Sequence, residues 1–251
     1  MRCSPSASRT AVRRGVQCIL LGALALSTGA IAACDGDNIY RVNRLRAVPL
    51  PGDSLSAELP GLSETADYLD EVAFGAEFGP TSNVLRKWVL SPSVELVNAT
   101  DADAVEAAKV LAEIGAITGL VPTLVPSNGD IRVFFVPVDQ FVDVIGTLIL
   151  DARSGTVGAW GLDFNLIGAT VVIDQASTGN QRRHYIREEL TQAFGLFSES
   201  GRYSSSVLYR GDSEVTAYTP IDVAVLELLY SPLLQSGMTR PAVAAALGAL
   251  N

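Results

Sequence analysis

From about residue 63 onward, apolar positions fall into blocks whose spacing alternates between helical and strand periods. Ser63-Glu-Thr-Ala-Asp-Tyr-Leu starts a short helix running toward Phe78. Trp88 to Val97 reads as a strand, with Trp88, Val94 and Leu96 on one face. Asp101 to Leu120 is the clearest helix. Asp101 is placed to cap it, and Val105, Ala108, Leu111, Ala112, Ile114 and Ala116 form its apolar stripe. Ile131 to Val136 reads as a strand closed by Pro137, and Val138 to Ile145 as a short helix. Leu148 to Leu150 and Thr156 to Leu162 are candidate strands, and Ile167 to Ile173 is a buried strand rich in β-branched residues. A helix from about Asn180 to Phe194 follows, and Gly195 ends it. This alternation predicts an α+β domain, a mixed sheet with helices packed on it.

The first 62 residues follow another logic. Arg2, Arg9, Arg13 and Arg14 make a basic front end, and Gly15 to Ala33 is apolar or small without a charge. That is the layout of a secretory signal, although the stretch is nearly long enough to span a bilayer. Ile31-Ala-Ala-Cys34 resembles the lipobox of bacterial lipoproteins, in which the Cys is acylated and becomes the new N-terminus. Residues 1–33 are therefore read as a lipoprotein signal peptide and Cys34 as the lipidation site. An ordinary cleaved signal and a spanning helix are the alternatives. Cys3 and Cys18 would leave with the signal and Cys34 would carry the lipid, so the mature chain would have neither free thiol nor disulfide. Asp35 resembles the enteric signal for retention at the inner membrane. The expected place is the cell envelope, lipid-anchored on the periplasmic side of the inner membrane. Pro49, Pro51, Gly52, Pro60 and Gly61 make residues 34–62 a tether before a domain spanning 63–251.

Charge narrows the partners. The whole chain carries a formal charge of −9, and without the four arginines of the signal it keeps 14 basic against 27 acidic side chains, or −13. Nucleic-acid binding relies on basic contacts to phosphate, so that class is excluded. Anionic lipid surfaces repel such a chain, which leaves the anchor as the membrane link.

The candidate chemistry lies on the helix near 180–195. Glu188-Glu-Leu-Thr-Gln192-Ala-Phe-Gly195-Leu-Phe-Ser198 resembles the zinc helix of the metzincin proteases, H-E-x-x-H-x-x-G-x-x-H. Glu189 stands at the position of the base and Gly195 at that of the glycine, while the ligand positions hold Glu188, Gln192 and Ser198. Val207-Leu-Tyr209 resembles the turn that follows in matrixin-type metzincins. Tyr218-Thr-Pro-Ile-Asp222 with Leu229-Tyr-Ser-Pro232 resembles their last helix. Thr219 and Pro220 also form a capped helix start. The chain is similar as well to a family of secreted bacterial proteins known as a domain of unknown function. That likeness is carried by Phe74-Gly-Ala-Glu-Phe-Gly79, Leu85-Arg-Lys-Trp88, Ile117-Thr-Gly-Leu120, Arg132–Val136, Glu188–Gln192 and Leu229–Pro232 with Gly237-Met238.

The resemblance implies a zincin-like, metzincin-like fold with a degenerate metal site. A neutral amide and a hydroxyl are poor zinc ligands, so no metal and no other cofactor is expected at Glu188, Gln192 and Ser198. His184 and Glu188 at i, i+4 offer an alternative metal face, with Asp212 or Glu199 as a distant third ligand. The same spacing equally makes an ordinary ion pair. Arg182, Arg183 and Arg187 are expected to pair with Glu188, Glu189 or nearby acids, which would make the two glutamates a solvated or salt-bridged face. The expected function is a pseudoprotease that binds a peptide or protein along a sheet edge near Trp160-Gly-Leu-Asp163. A divergent hydrolase is the alternative, either metal-dependent through His184 and Glu188 with a distant acid, or metal-free through Glu189.

Overall fold

The computed structural model describes residues 60–75, 83–146 and 152–249. The signal segment, Cys34, Asp35, the tether up to residue 59, the stretch toward Phe78 and the candidate strand Leu148 to Leu150 lie outside the described residues.

The chain is a mixed α+β structure. In order, it forms α1 (Leu62–Ala73), β1 (Ser93–Val97), α2 (Asp101–Thr118), β2 (Thr123–Val125) and β3 (Ile131–Val136). A 3-10 turn (Val138–Gln140) runs into α3 (Phe141–Ile145). Then come β4 (Ser154–Trp160), β5 (Leu166–Asp174), α4 (Gly179–Ala193), α5 (Pro220–Tyr230) and α6 (Arg240–Gly248). The five strands lie in the order β2-β1-β3-β5-β4. All neighbours run parallel except β4, which is antiparallel to β5 and ends one side of the sheet.

One face of the sheet packs against α2 and α4, where Val94, Val133, Phe135, Val171 and Ile173 meet Val110, Ile114, Ile186 and Leu190. A second core joins α1, α5 and α6 through Tyr68, Leu69, Val225, Leu229 and Val243. On the other face, Phe141 of α3 covers Val136 and Val172.

Several sequence expectations need correction. Trp88 is not on a strand, because Pro92 lacks a ladder donor and pairing begins only at Ser93. Trp88 still joins the core of Val94 and Leu96, and its indole N–H donates to the Ala193 carbonyl at 2.9 Å. Thr100, not Asp101, caps α2. The Thr100 N–H donates to Asp103 Oδ2 at 2.8 Å, and the Asp103 N–H returns a bond to Thr100 Oγ1 at 3.3 Å. Of the assigned apolar stripe, Leu111 and Ile114 are buried, but Val105, Ala108, Ala112 and Ala116 are exposed. The inward face instead carries Asp103 and Glu106 beside Ala107, Val110, Leu111 and Ile114. Those two carboxylates are buried because arginines of α4 meet them there. α1 begins at Leu62, the last residue assigned to the tether.

Candidate functional site at the fourth helix

Helix α4 is enclosed along its second half, with every residue from Ile186 to Ala193 buried. It stops where expected. Gly195 follows at φ 112°, and a Cβ there would stand 2.3 Å from the Arg86 carbonyl oxygen. Glycine alone satisfies both the backbone angle and the close approach.

Glu189 points at the edge strand. Its side chain is 1% exposed. Thr156 Oγ1 of β4 donates to Glu189 Oε2 at 2.6 Å, and Ser154 adds a second hydroxyl. Burial nevertheless dominates and pushes the carboxyl up to about 7.

Glu188, on the next face, is also buried. Its Oε2 lies 3.4 Å from His184 Nε2, and it shares a hydrogen bond with Glu199. Burial raises Glu199 as well, and the hydrogen bond with Glu188 and the Arg210 charge oppose that shift. His184 Nδ1 sits 2.9 Å from the Val215 carbonyl and donates to it. Burial, then the Arg187 charge, lower its pKa. The structure thus brings together His184, Glu188 and Glu199, three residues named from the sequence. Asp212 lies exposed.

Two of the three arginines pair with acids as expected, but with acids of α2 rather than Glu188 or Glu189. Arg182 donates to Asp103, with its Nη2 at 2.8 Å from Oδ2. Arg187, fully buried, pairs with Glu113 and reaches Glu106 at 3.6 Å. Arg183 bonds Asn180. Glu188 and Glu189 are therefore neither a solvated face nor the partners of these cations.

The turn Val207-Leu-Tyr209 is fastened under α5. Val207 and Leu208 are buried, Ser206 Oγ donates to Asp222 Oδ1 at 2.5 Å, and the Val207 N–H donates to the same oxygen at 3.3 Å. The other Asp222 oxygen accepts the Thr219 N–H at 2.8 Å, which closes the capping box of α5 with Pro220 in its first turn. Neither the Ser206–Asp222 bond nor the Thr156–Glu189 bond had a local signal, since their partners are far apart in sequence.

The zinc that a metzincin resemblance implies does not fit these residues. Gln192 offers a neutral amide, Ser198 a hydroxyl packed against Gly75, and Glu188 a carboxyl already engaged by His184 and Glu199. Among the described residues, no group of three His, Cys, Asp or Glu side chains is arranged to hold a metal ion.

Beside this helix runs the side of β4 that faces it. Thr156 meets Glu189, a Cβ on Gly158 would touch the Phe197 ring at 2.5 Å, and the Arg86 guanidinium lies 3.3 Å over the Trp160 ring. The Asp174 N–H bonds the Arg153 carbonyl at 2.8 Å, and the register alternates from there. The main-chain groups of Ser154, Thr156 and Gly158 consequently face away from β5. Val157 to Trp160 is half-buried or exposed.

A family model described as protein of unknown function (DUF2927) matches residues 63–249. The chain belongs to the DUF2927 family. Among solved structures this DUF2927 member is similar to myroilysin, at 12% identity and a TM-score of 0.41, over 69% of this chain and 98% of that one. No curated protein matches it.

Proposed function

We propose that this DUF2927 protein is a lipid-anchored envelope protein whose metzincin-like domain binds an extended peptide, or a segment of a protein partner, along β4 without hydrolysing it. The observation that carries the reading is a strand, β4, whose outer edge no other described strand pairs, beside a sealed helix. β4 ends the described sheet, and the main chain of Gly158 faces outward from it. An extended chain can add there as another strand through main-chain hydrogen bonds. Directly behind it, the position of a protease base holds a carboxyl that is 1% exposed and bonded to Thr156. A general base must reach a water or a substrate proton, and among the described residues this one bonds hydroxyls of its own chain, those of Thr156 and Ser154.

A library of twelve-residue peptides, panned on the full chain in detergent micelles, tests this. Captured peptides should be recovered uncut, should slow exchange of the Gly158 amide, and should lose binding when alternate peptide amides are N-methylated. No capture, or capture indifferent to N-methylation, would refute the edge-strand reading. Recovery of cleaved peptides would establish a hydrolase instead.

A further inference from the structure

We infer that Arg86 is a carboxylate-binding site at the open end of β4, taking the acidic side chain or terminal carboxylate of an extended peptide. The peptide part rests on the edge-strand reading above; the carboxylate part stands on the geometry of Arg86 itself.

Every other described arginine donates to a protein oxygen. Arg86 donates to no described residue, and its Nε–H is buried without an acceptor among them. It is not a loose surface cation. The Leu85 N–H donates to the Met238 carbonyl and the Gly237 N–H to the Leu85 carbonyl, both at 2.8 Å, and the Lys87 carbonyl accepts from Leu166 at 3.0 Å. The Arg86 carbonyl itself abuts Gly195. The backbone is thus held on both sides, and the guanidinium carbon lies over the Trp160 ring, 3.3 Å from its centre.

Stacking uses the face of a guanidinium and leaves its edge, where the N–H donors lie, for a planar anion. Burial weakens the hydration of this cation, which stays charged all the same. A carboxylate would accept from the terminal Nη donors along that edge, since the buried Nε is closed to an incoming group. It would not arrive alone, because a chain of net charge −9 disfavours free anions. It would arrive on a chain already held at the edge. Trp160 is two residues past Gly158, where the outward main chain offers that hold.

Three acetylated tetrapeptides decide the matter: tetra-alanine with a free C-terminal carboxylate, its C-terminal amide, and the amide with aspartate at its last position. Each is titrated into the full chain in detergent micelles, with arginine labelled by nitrogen-15. The Arg86 Nε–H resonance, assigned by its loss in Arg86→Gln, should move saturably with a carboxylate peptide and not with the plain amide. A response to the free acid alone names the chain terminus as ligand, and a response to the aspartate amide alone names the acidic side chain. Arg86→Gln should weaken the responding peptide about tenfold to a hundredfold, as expected for a charge-assisted hydrogen bond. If neither carboxylate peptide moves the resonance, the inference is overturned. If a carboxylate peptide moves it but backbone N-methylation leaves its affinity unchanged, the Arg86 site stands and the edge-strand reading falls.

Discussion

Glu189 combines a position legible in the sequence with an environment that was not. Its register with Gly195 marked it as the base of a protease-like helix, but nothing local announced Thr156 and Ser154, thirty-odd residues upstream on another element. Its carboxyl titrates near 7 in the folded chain, against an ordinary value of 4.5 once unfolded. A raised acid is stable in its protonated form. Its contribution is complete below pH 4.5 and is lost as the pH rises through about 7. The span corresponds to about 3 kcal/mol. Denaturant unfolding of wild type and Glu189→Gln across this range should show wild type losing stability relative to the variant by that order. A difference that stays flat with pH would mean that Glu189 is ionised in the fold. Gln192 and Ser198 carry the opposite lesson: their poverty as ligands was readable from residue type alone.

Between elements, α2 and α4 are joined by charge as much as by apolar contact. Arg182 meets Asp103, and Arg187 meets Glu113 and Glu106 while lying over the Tyr218 ring. Removing one member of a buried pair strands the other, at a cost of about 3–5 kcal/mol. Arg187→Ala should therefore lower stability by that order, read from the shift in denaturation midpoint. Arg187→Ala combined with Glu113→Gln and Glu106→Gln should recover part of the loss, because no unpaired carboxylate is left behind. Equal stability of the single and triple variants would show that α2 does not carry the countercharge. This arrangement also explains the misread stripe of α2. Apolar periodicity selects Val105, Ala108, Ala112 and Ala116, whereas the buried side follows Asp103, Glu106, Val110 and Ile114. Strands β3 and β5 were legible because both faces of each are largely covered and their apolar runs are nearly continuous. The start of β1 was not, because Trp88 is buried from outside the sheet.

At the scale of the whole molecule, charge and attachment answer different needs. A net charge of −9, or −13 after removal of residues 1–33, keeps the domain off anionic lipid. Among the described residues, no helix is long and apolar enough to cross a membrane. The proposed hold on the membrane is the segment ending in Ile31-Ala-Ala-Cys34, through acyl chains on Cys34, with an uncleaved apolar stretch from Gly15 to Ala33 as the alternative. The two differ in what a single thiol does. One acyl chain binds only marginally, and two or three bind firmly, so an acylated protein depends wholly on that side chain. A spanning helix does not depend on it. Cys34→Ser in the producing bacterium should therefore move the protein from the membrane fraction to the soluble one and abolish labelling by a palmitate analogue. Retention of the variant in membranes would assign the attachment to Gly15–Ala33 as a helix.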